Sequence, residues 1–260
     1  MPLDHASPAP RAASAPVPPG SPPPDNLVTL PERPAIPDYL RDTYHWAYLS
    51  RVGRAVFDRP VMVSAILWGN ARRLMGDAAA EFSAGARVLQ TACVYGDFSL
   101  RLAEQVGPQG HLDVIDVAPM QVANCRRKLA AYPQVKLRVA DTAAHQGKGY
   151  DGVCCFFLLH EVPDDYKHRI VDRVLGSLRP GGKAVFVDYH APRRWHPLRG
   201  LMSLVFRWLE PFAHALWQHE IASYATHPGD FTWSKRTYFG GLYQKTVAVR
   251  AIARASAART

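Results

Sequence analysis

The chain has 260 residues, with 31 lysines and arginines against 22 aspartates and glutamates, a net charge of +9, and 48% of its residues are hydrophobic. Such a chain can bury a real core, which excludes collagen, coiled coil and global disorder. Its longest near-continuous apolar stretch, Val153 to Leu159, is far short of the roughly 20 residues that cross a bilayer.

Of the 22 prolines, 12 fall in the first 37 residues. No basic segment leads into an apolar one there, so no signal peptide is read, and residues 1–37 are expected to be a disordered Pro-rich tail. The expected folded unit is 38–260. It divides into N-terminal helices (38–82), a nucleotide-binding core (83–190), a helical lid (191–230) and a C-terminal hairpin (231–251). Leu40, Tyr44, Tyr48 and Val52 recur every four residues as a helical ridge. Asp58 is placed to cap a second helix, with Pro60 in its first turn, running to about Leu74.

From Arg87 onward short apolar runs alternate with helical stretches. Strands are expected at Arg87–Thr91, His111–Ile115, Val135–Val139, Asp151–Leu158 and Lys183–Asp188. Helices are expected at Phe98–Gln105, Pro119–Ala131 and Asp164–Ser177. That alternation predicts an α/β, doubly wound parallel sheet. Four cysteines, with Cys154 and Cys155 adjacent, give neither a disulfide framework nor a zinc pair, so a reduced, cytoplasmic chain is expected. In 198–224 the apolar residues Leu198, Leu201, Met202, Val205, Trp208, Leu209, Phe212, Ala213 and Leu216 follow helical spacing. Arg199, Ser203, Arg207, Glu210 and His214 fall on the other side, and Pro211 breaks the helix. Two last strands, Phe231–Phe239 and Leu242–Ala251, flank Gly240–Gly241 as an antiparallel hairpin, for seven strands in all.

Ligands of an open parallel sheet bind outside the carboxyl ends of its strands. Those ends carry Val94-Tyr95-Gly96-Asp97, then Asp116, Asp141-Thr142, His160-Glu161 and Asp188-Tyr189-His190. Asp116, with Val117 beside it, lies 26 positions after Gln90 at the next strand end. That suits a clamp on ribose hydroxyls, and it equally suits a cap on the helix beginning near Pro119. Asp141 can face an adenine amino group. Asp97 is either a base or metal ligand or the cap of the helix from Phe98. His160 can face a substrate or a metal. No metal-ligand spacing such as H-E-x-x-H occurs, so the metal ligands stay unassigned.

The order of these pieces, with Leu178-Arg179-Pro180-Gly181-Gly182-Lys183 leading into the fifth strand, resembles the class I S-adenosylmethionine (SAM) methyltransferases. The likeness is strongest to the quinone C-methyltransferases. Those enzymes usually carry an acid and three spaced glycines in the first loop, where this chain has Gln90, Ala92, Val94 and Gly96. The string Gln90-Thr91-Ala92-Cys93-Val94-Tyr95-Gly96-Asp97-Phe98-Ser99 resembles the rhodoquinone biosynthesis family, RquA. Phe57-Asp58-Arg59-Pro60 to Trp68-Gly69-Asn70 and Tyr238 to Lys245 agree with it.

This resemblance implies a Rossmann-like methyltransferase fold. It also implies exchange of a ubiquinone methoxy group for an amino group, with SAM as amino donor and manganese (Mn2+) assisting. It places SAM on Gln90, Ala92, Gly96, Asp116, Val117, Asp141 and Thr142, and the chemistry on Tyr95, Asp97 and His160. A carboxylate beside the SAM ammonium favours the charged form, which cannot attack a quinone. Gln90 can hold the same group without that charge. Tyr95 either aligns the amine or packs on the adenosine. Conventional SAM-dependent quinone methyl transfer, and quinone binding without chemistry, are the competing readings. Arg193, Arg194, Arg199 and Arg207 beside Trp195, Trp208 and Trp217 suit an anionic membrane surface. The expected location is therefore peripheral to the inner membrane. No stripe of aromatic and basic residues suited to nucleic acid is found.

Overall fold

The computed structural model describes residues 64, 65, 67–94 and 96–252. The expected tail, the ridge from Leu40 to Val52, the Asp58 cap and Tyr95 lie outside them. Helical backbone at Ser64 and Ala65 ends in a turn where Trp68 and Gly69 take left-handed φ values of 50° and 77°. The expected helix through Leu74 is therefore interrupted, and α1 (Ala71–Ala79) starts afresh after Asn70. The Asn70 amide donates to the carbonyls of Leu67 and Trp68 and fixes that break.

The sheet then follows the expected alternation: β1 (Arg87–Gln90), α2 (Phe98–Val106), β2 (His111–Asp116), α3 (Pro119–Lys128), β3 (Val135–Val139), β4 (Tyr150–Phe156), α4 (Asp164–Gly176) and β5 (Leu178–Tyr189). Helices α5 (Arg199–Trp208) and α6 (Ala215–Gln218) precede the hairpin of β6 (Phe231–Tyr238) and β7 (Tyr243–Arg250). The seven strands lie in the order β3-β2-β1-β4-β5-β7-β6. β1 to β5 are parallel, and β7 runs antiparallel to both β5 and β6.

Three boundaries of the sheet core differ from the sequence reading by more than one residue. β5 begins at Leu178, because Leu178 pairs with Tyr150 before a register shift and the main ladder from Gly152–Lys183. β4 ends at Phe156, because Phe157 turns into the left-handed region at φ 49°. α3 stops at Lys128, short of Ala131, with Tyr132 closing a turn onto Leu129.

The central strands are buried on both faces, and period-two alternation divides each of them between two cores. Along β4, Cys154 and Phe156 join Leu74, Phe98 and Phe206 on one face, while Val153 and Cys155 join Ile170, Val174 and Ile221 on the other. That two-sided burial is why β4 reads as an unbroken apolar run. Strand order reverses between β1 and β4, and the crevice this opens at their carboxyl ends is where such sheets bind ligands. Among the described residues no helix is long and apolar enough to cross a membrane.

Candidate active site

Two groups of side chains meet at this crevice. The first straps together the loops after β1, β2 and β3. Gln90, fully buried at the end of β1, donates from its amide nitrogen to the Ala92 carbonyl at 2.7 Å. Among the described residues its Oε1 has no hydrogen-bond partner, an arrangement that costs free energy in a buried carbonyl. Next in the chain, Thr91 is tied to β4 through Cys154, and its carbonyl accepts from Thr142 Oγ1 at 2.7 Å.

Asp116 joins the first loop to the second. Its Oδ2 accepts from the Cys93 N–H at 2.8 Å and its Oδ1 from the Ala118 N–H at 2.7 Å. Burial pushes its carboxyl up to about 6, against the opposing pull of those two backbone donors. The cap position of α3 is Ala118, so Asp116 does not cap that helix directly. Its bond to the Ala118 N–H closes the turn that leads into α3, and the carboxylate keeps lone pairs for hydroxyl donors. Val117 lies half-buried between these two bonded groups. Asp141 accepts from the Ala143 N–H at 2.8 Å and caps the short turn of Thr142–Ala144.

Gly96 takes φ 89°, a conformation that favours glycine, and its carbonyl accepts from Lys128 Nζ at 2.8 Å. Asp97 occupies the cap position of α2, but its side chain makes no capping bond. It pairs instead with Arg101 one turn later, at 2.8 Å, so the capping alternative for Asp97 does not hold.

The second group is centred on His160, which follows β4 in a short turn, Leu159–Glu161. Asp188 near the end of β5 holds that turn. One carboxylate oxygen accepts from the Leu159 and His160 N–H groups at 2.9 and 3.3 Å. The other accepts from the Tyr189 N–H at 2.8 Å and lies 2.9 Å from His160 Nδ1. His160 Nε2 lies 3.9 Å from a carboxylate oxygen of both Glu161 and Glu210. Burial works against a charged ring here, but the carboxylates of Asp188, Glu210 and Glu161 outweigh it and lift His160 to about 9. That shift favours the imidazolium at neutral pH, with Nε2 facing the carboxylates of Glu161 and Glu210. Tyr189 and Phe157 wall it edge-on, at ring separations of 4.9 and 5.7 Å. Phe157 is itself in a strained backbone conformation, of the kind that concentrates at functional sites.

Asp188 stood among the strand ends in the sequence without a role. A single acid closing the apolar run Ala184–Val187 was the available signal. Glu210 was placed on the outer side of the lid, and only the folded path of α5 brings it to His160. Among the described residues, no group of three or more His, Cys, Asp or Glu side chains is arranged to hold a metal ion. The manganese expectation therefore finds no site in them, and no step below runs through it.

A family profile described as a methyltransferase domain matches residues 88–182, from β1 into β5. The O-methyltransferase family protein of Burkholderia thailandensis superposes with a TM-score of 0.62 at 17% identity, over 83% of this chain and 67% of that one. The mitomycin 7-O-methyltransferase MmcR gives 0.63 at 17% identity, over 80% and 60%.

The fold is the class I methyltransferase fold.

Sequence similarity points to named enzymes over part of the chain. The chain is 30% identical over 117 residues to the ubiquinone/menaquinone biosynthesis C-methyltransferase UbiE of Geobacter sulfurreducens, covering 43% of this chain and 45% of that one. It is 38% identical over 104 residues to the ubiquinone biosynthesis O-methyltransferase of Xanthomonas axonopodis pv. citri, covering 38% and 41%. The chain thus spans less than half the length of these two relatives.

Proposed function

We propose that this chain is a SAM-dependent enzyme that modifies a quinone. The observation that carries the reading is Asp116, buried at the end of β2 with its carboxylate bonded to the loops after β1 and β2, beside the crevice. In this reading Asp116 and Val117 hold the ribose, Asp141 and Thr142 border the adenine, and Gln90, Ala92 and Gly96 receive the amino-acid end. His160, with Asp188 fixing its ring, donates from Nε2 to a quinone oxygen. Tyr95 and Asp97 flank Gly96 as the remaining candidates for contact with the reacting groups. SAM brings two reactive groups to such a site, an electrophilic methyl and an α-amine.

Methyl transfer is the reaction that the names of the relatives support. One observation favours a second reading, the exchange of a ubiquinone methoxy group for an amino group to give rhodoquinone, as the RquA resemblance implies. Gln90 is neutral, buried and, among the described residues, left with an unpartnered acceptor oxygen. That oxygen can accept an N–H of the ligand's α-amine without stabilising the ammonium as a carboxylate would. A ubiquinone-like substrate dissolves in lipid, so the cytoplasmic, peripheral-membrane location belongs to the same proposal.

Incubation with SAM and a short-tailed ubiquinone, or its demethylated quinol, followed by mass analysis, separates the two. Replacement of methoxy by amino makes the quinone lighter, and methylation makes the quinol heavier. Gln90→Asp sharpens the test. A carboxylate raising the amine pKa by one unit lowers the free-amine fraction at pH 7 about tenfold. Amino transfer should fall and its pH optimum move upward, with SAM affinity held. An unchanged pH profile in Gln90→Asp would remove Gln90 from the mechanism, and an unmodified quinone in both assays would overturn the proposal.

A further inference from the structure

Helix α5 has two apolar faces. Met202 and Phe206 point inward and are buried, and Phe206 meets Tyr189 with ring centroids 4.9 Å apart. That face closes the aromatic side of the His160 group. Leu201, Leu204 and Trp208 lie opposite, 46%, 55% and 72% exposed, with Leu209 at the helix end and Trp195 just before it, 51% and 77% exposed. Isolated apolar side chains on a surface need no explanation, but these lie together on one helix and its lead-in. Five of the nine large exposed hydrophobic residues among the described ones fall in this short stretch.

The charged residues of α5 and its lead-in, Arg193, Arg194, Arg199 and Arg207, are all basic. Arg193 stacks on Trp195 and Arg207 on Trp208, with 5.6 and 6.0 Å from guanidinium to ring. An open cleft of about 620 Å³ runs along the helix, lined by Arg194, His196, Arg199 and His214, with no carboxylate in its lining. Tryptophan and leucine bordered by arginine is the composition of a surface seated at the headgroup boundary of a bilayer. A second copy of the chain fits less well, because a two-fold contact here would set these arginines against their own copies.

We infer that the outer face of α5, with Trp195, docks on an anionic lipid surface, its leucines and tryptophans entering the headgroup–acyl boundary and Arg193, Arg194 and Arg207 meeting lipid phosphates. The surface stands on exposure and charge alone. Its purpose rests on the quinone reading, because a lipid-borne substrate would then reach His160 past a helix whose other face already walls that site.

The test uses the full chain and vesicles of phosphatidylcholine with or without phosphatidylglycerol, free of quinone and SAM. The parent should cosediment with the anionic vesicles, less so as salt rises, and its tryptophan emission should shift to the blue. Leu204→Ser combined with Trp208→Ser should lower binding at least about tenfold. Arg194→Glu and Arg207→Glu should each lower it by about fivefold or more, since one basic residue near such a surface contributes about 1 kcal/mol. Melting temperatures should stay at the parent value, because these side chains are exposed. Equal binding to neutral vesicles, equal binding by the serine variant, or a parent dimer that the serine variant dissociates would each overturn the inference. Turnover of a water-soluble short-tailed quinone, measured separately, reports on the enzymatic reading alone.

Discussion

His160 and Asp188 show how a single pair can set both the geometry of a strand end and its pH response. Asp188 accepts from three backbone N–H groups and also faces the imidazole, so it fixes the turn after β4 and the ring together. His160 is raised from 6.5 to about 9 in the folded state. A raised pKa means that the folded protein holds the proton more tightly than the unfolded chain. The resulting stability is complete below about pH 6.5 and is lost as pH rises through about 9, and its size is on the order of 3 kcal/mol. In Asp188→Asn the imidazole loses its nearest countercharge. The gap in melting temperature between parent and variant should be widest near pH 6 and narrow steadily toward pH 9.5. Parallel melting curves across that range would show that Asp188 acts only through its backbone bonds. Gln90 and His160 were both visible in the sequence, because each sits where an apolar strand ends. Glu210 was not, since a charge on an amphipathic helix reads as solvated until the fold shows which neighbour it meets.

Central strands such as β4 are legible because burial on both faces makes them near-continuous apolar runs. The edge strands β3 and β6 are legible because apolar and polar residues alternate, and the helices because their apolar residues recur at helical spacing. The departures have particular causes. Trp68 and Gly69 interrupt a helical pattern through backbone conformation, which hydrophobic spacing does not record. In α5 the error was one of face. The sequence set Leu201, Met202 and Trp208 on one apolar side, but the structure buries Met202 and leaves Leu201 and Trp208 exposed. Spacing could not detect this, because the helix is apolar on two sides with only Arg199, Ser203 and Arg207 between them. Gly152 in β4 tests packing at this scale. A Cβ there would run into the ring of Phe82, itself buried against the sheet. Alanine for glycine ordinarily gains about 0.4–1 kcal/mol by restricting the unfolded chain, whereas overpacking a core costs about 1–3 kcal/mol. Overpacking should win. Gly152→Ala should lower the urea midpoint with an unchanged slope, and Phe82→Leu in the same chain should restore part of the loss. A midpoint that rises would mean that the Phe82 ring moves aside freely.

At the scale of the whole molecule, the site ties the sheet together from one end. The loops after β1, β2 and β3 are connected to one another through Asp116 and Thr142, and the turn after β4 is tied to β5 through Asp188. A ligand that bridges the first three loops therefore stabilises the parallel half of the sheet as a unit, and its binding should appear in global unfolding. At free SAM about 100-fold above its dissociation constant, linkage gives about 2.7 kcal/mol. For a domain of this size that corresponds to a rise in melting temperature of about 5–10 °C. Asp116 is the residue through which to remove the effect. Burial raises its carboxyl to about 6, so the stability it contributes is complete below about pH 3.8 and is lost as pH rises through about 6. At pH 7 the buried charge therefore weighs against the fold, and Asp116→Asn removes that cost while giving up one of two backbone bonds. The melting temperature of the ligand-free variant should stay within a few degrees of the parent. In the proposed reading Asp116 holds the ribose, so added SAM should no longer raise it, and calorimetry should detect no binding. The same SAM-induced rise in parent and Asp116→Asn would place the ligand away from the β2 end and would leave Asp116 as a strap between loops and nothing more.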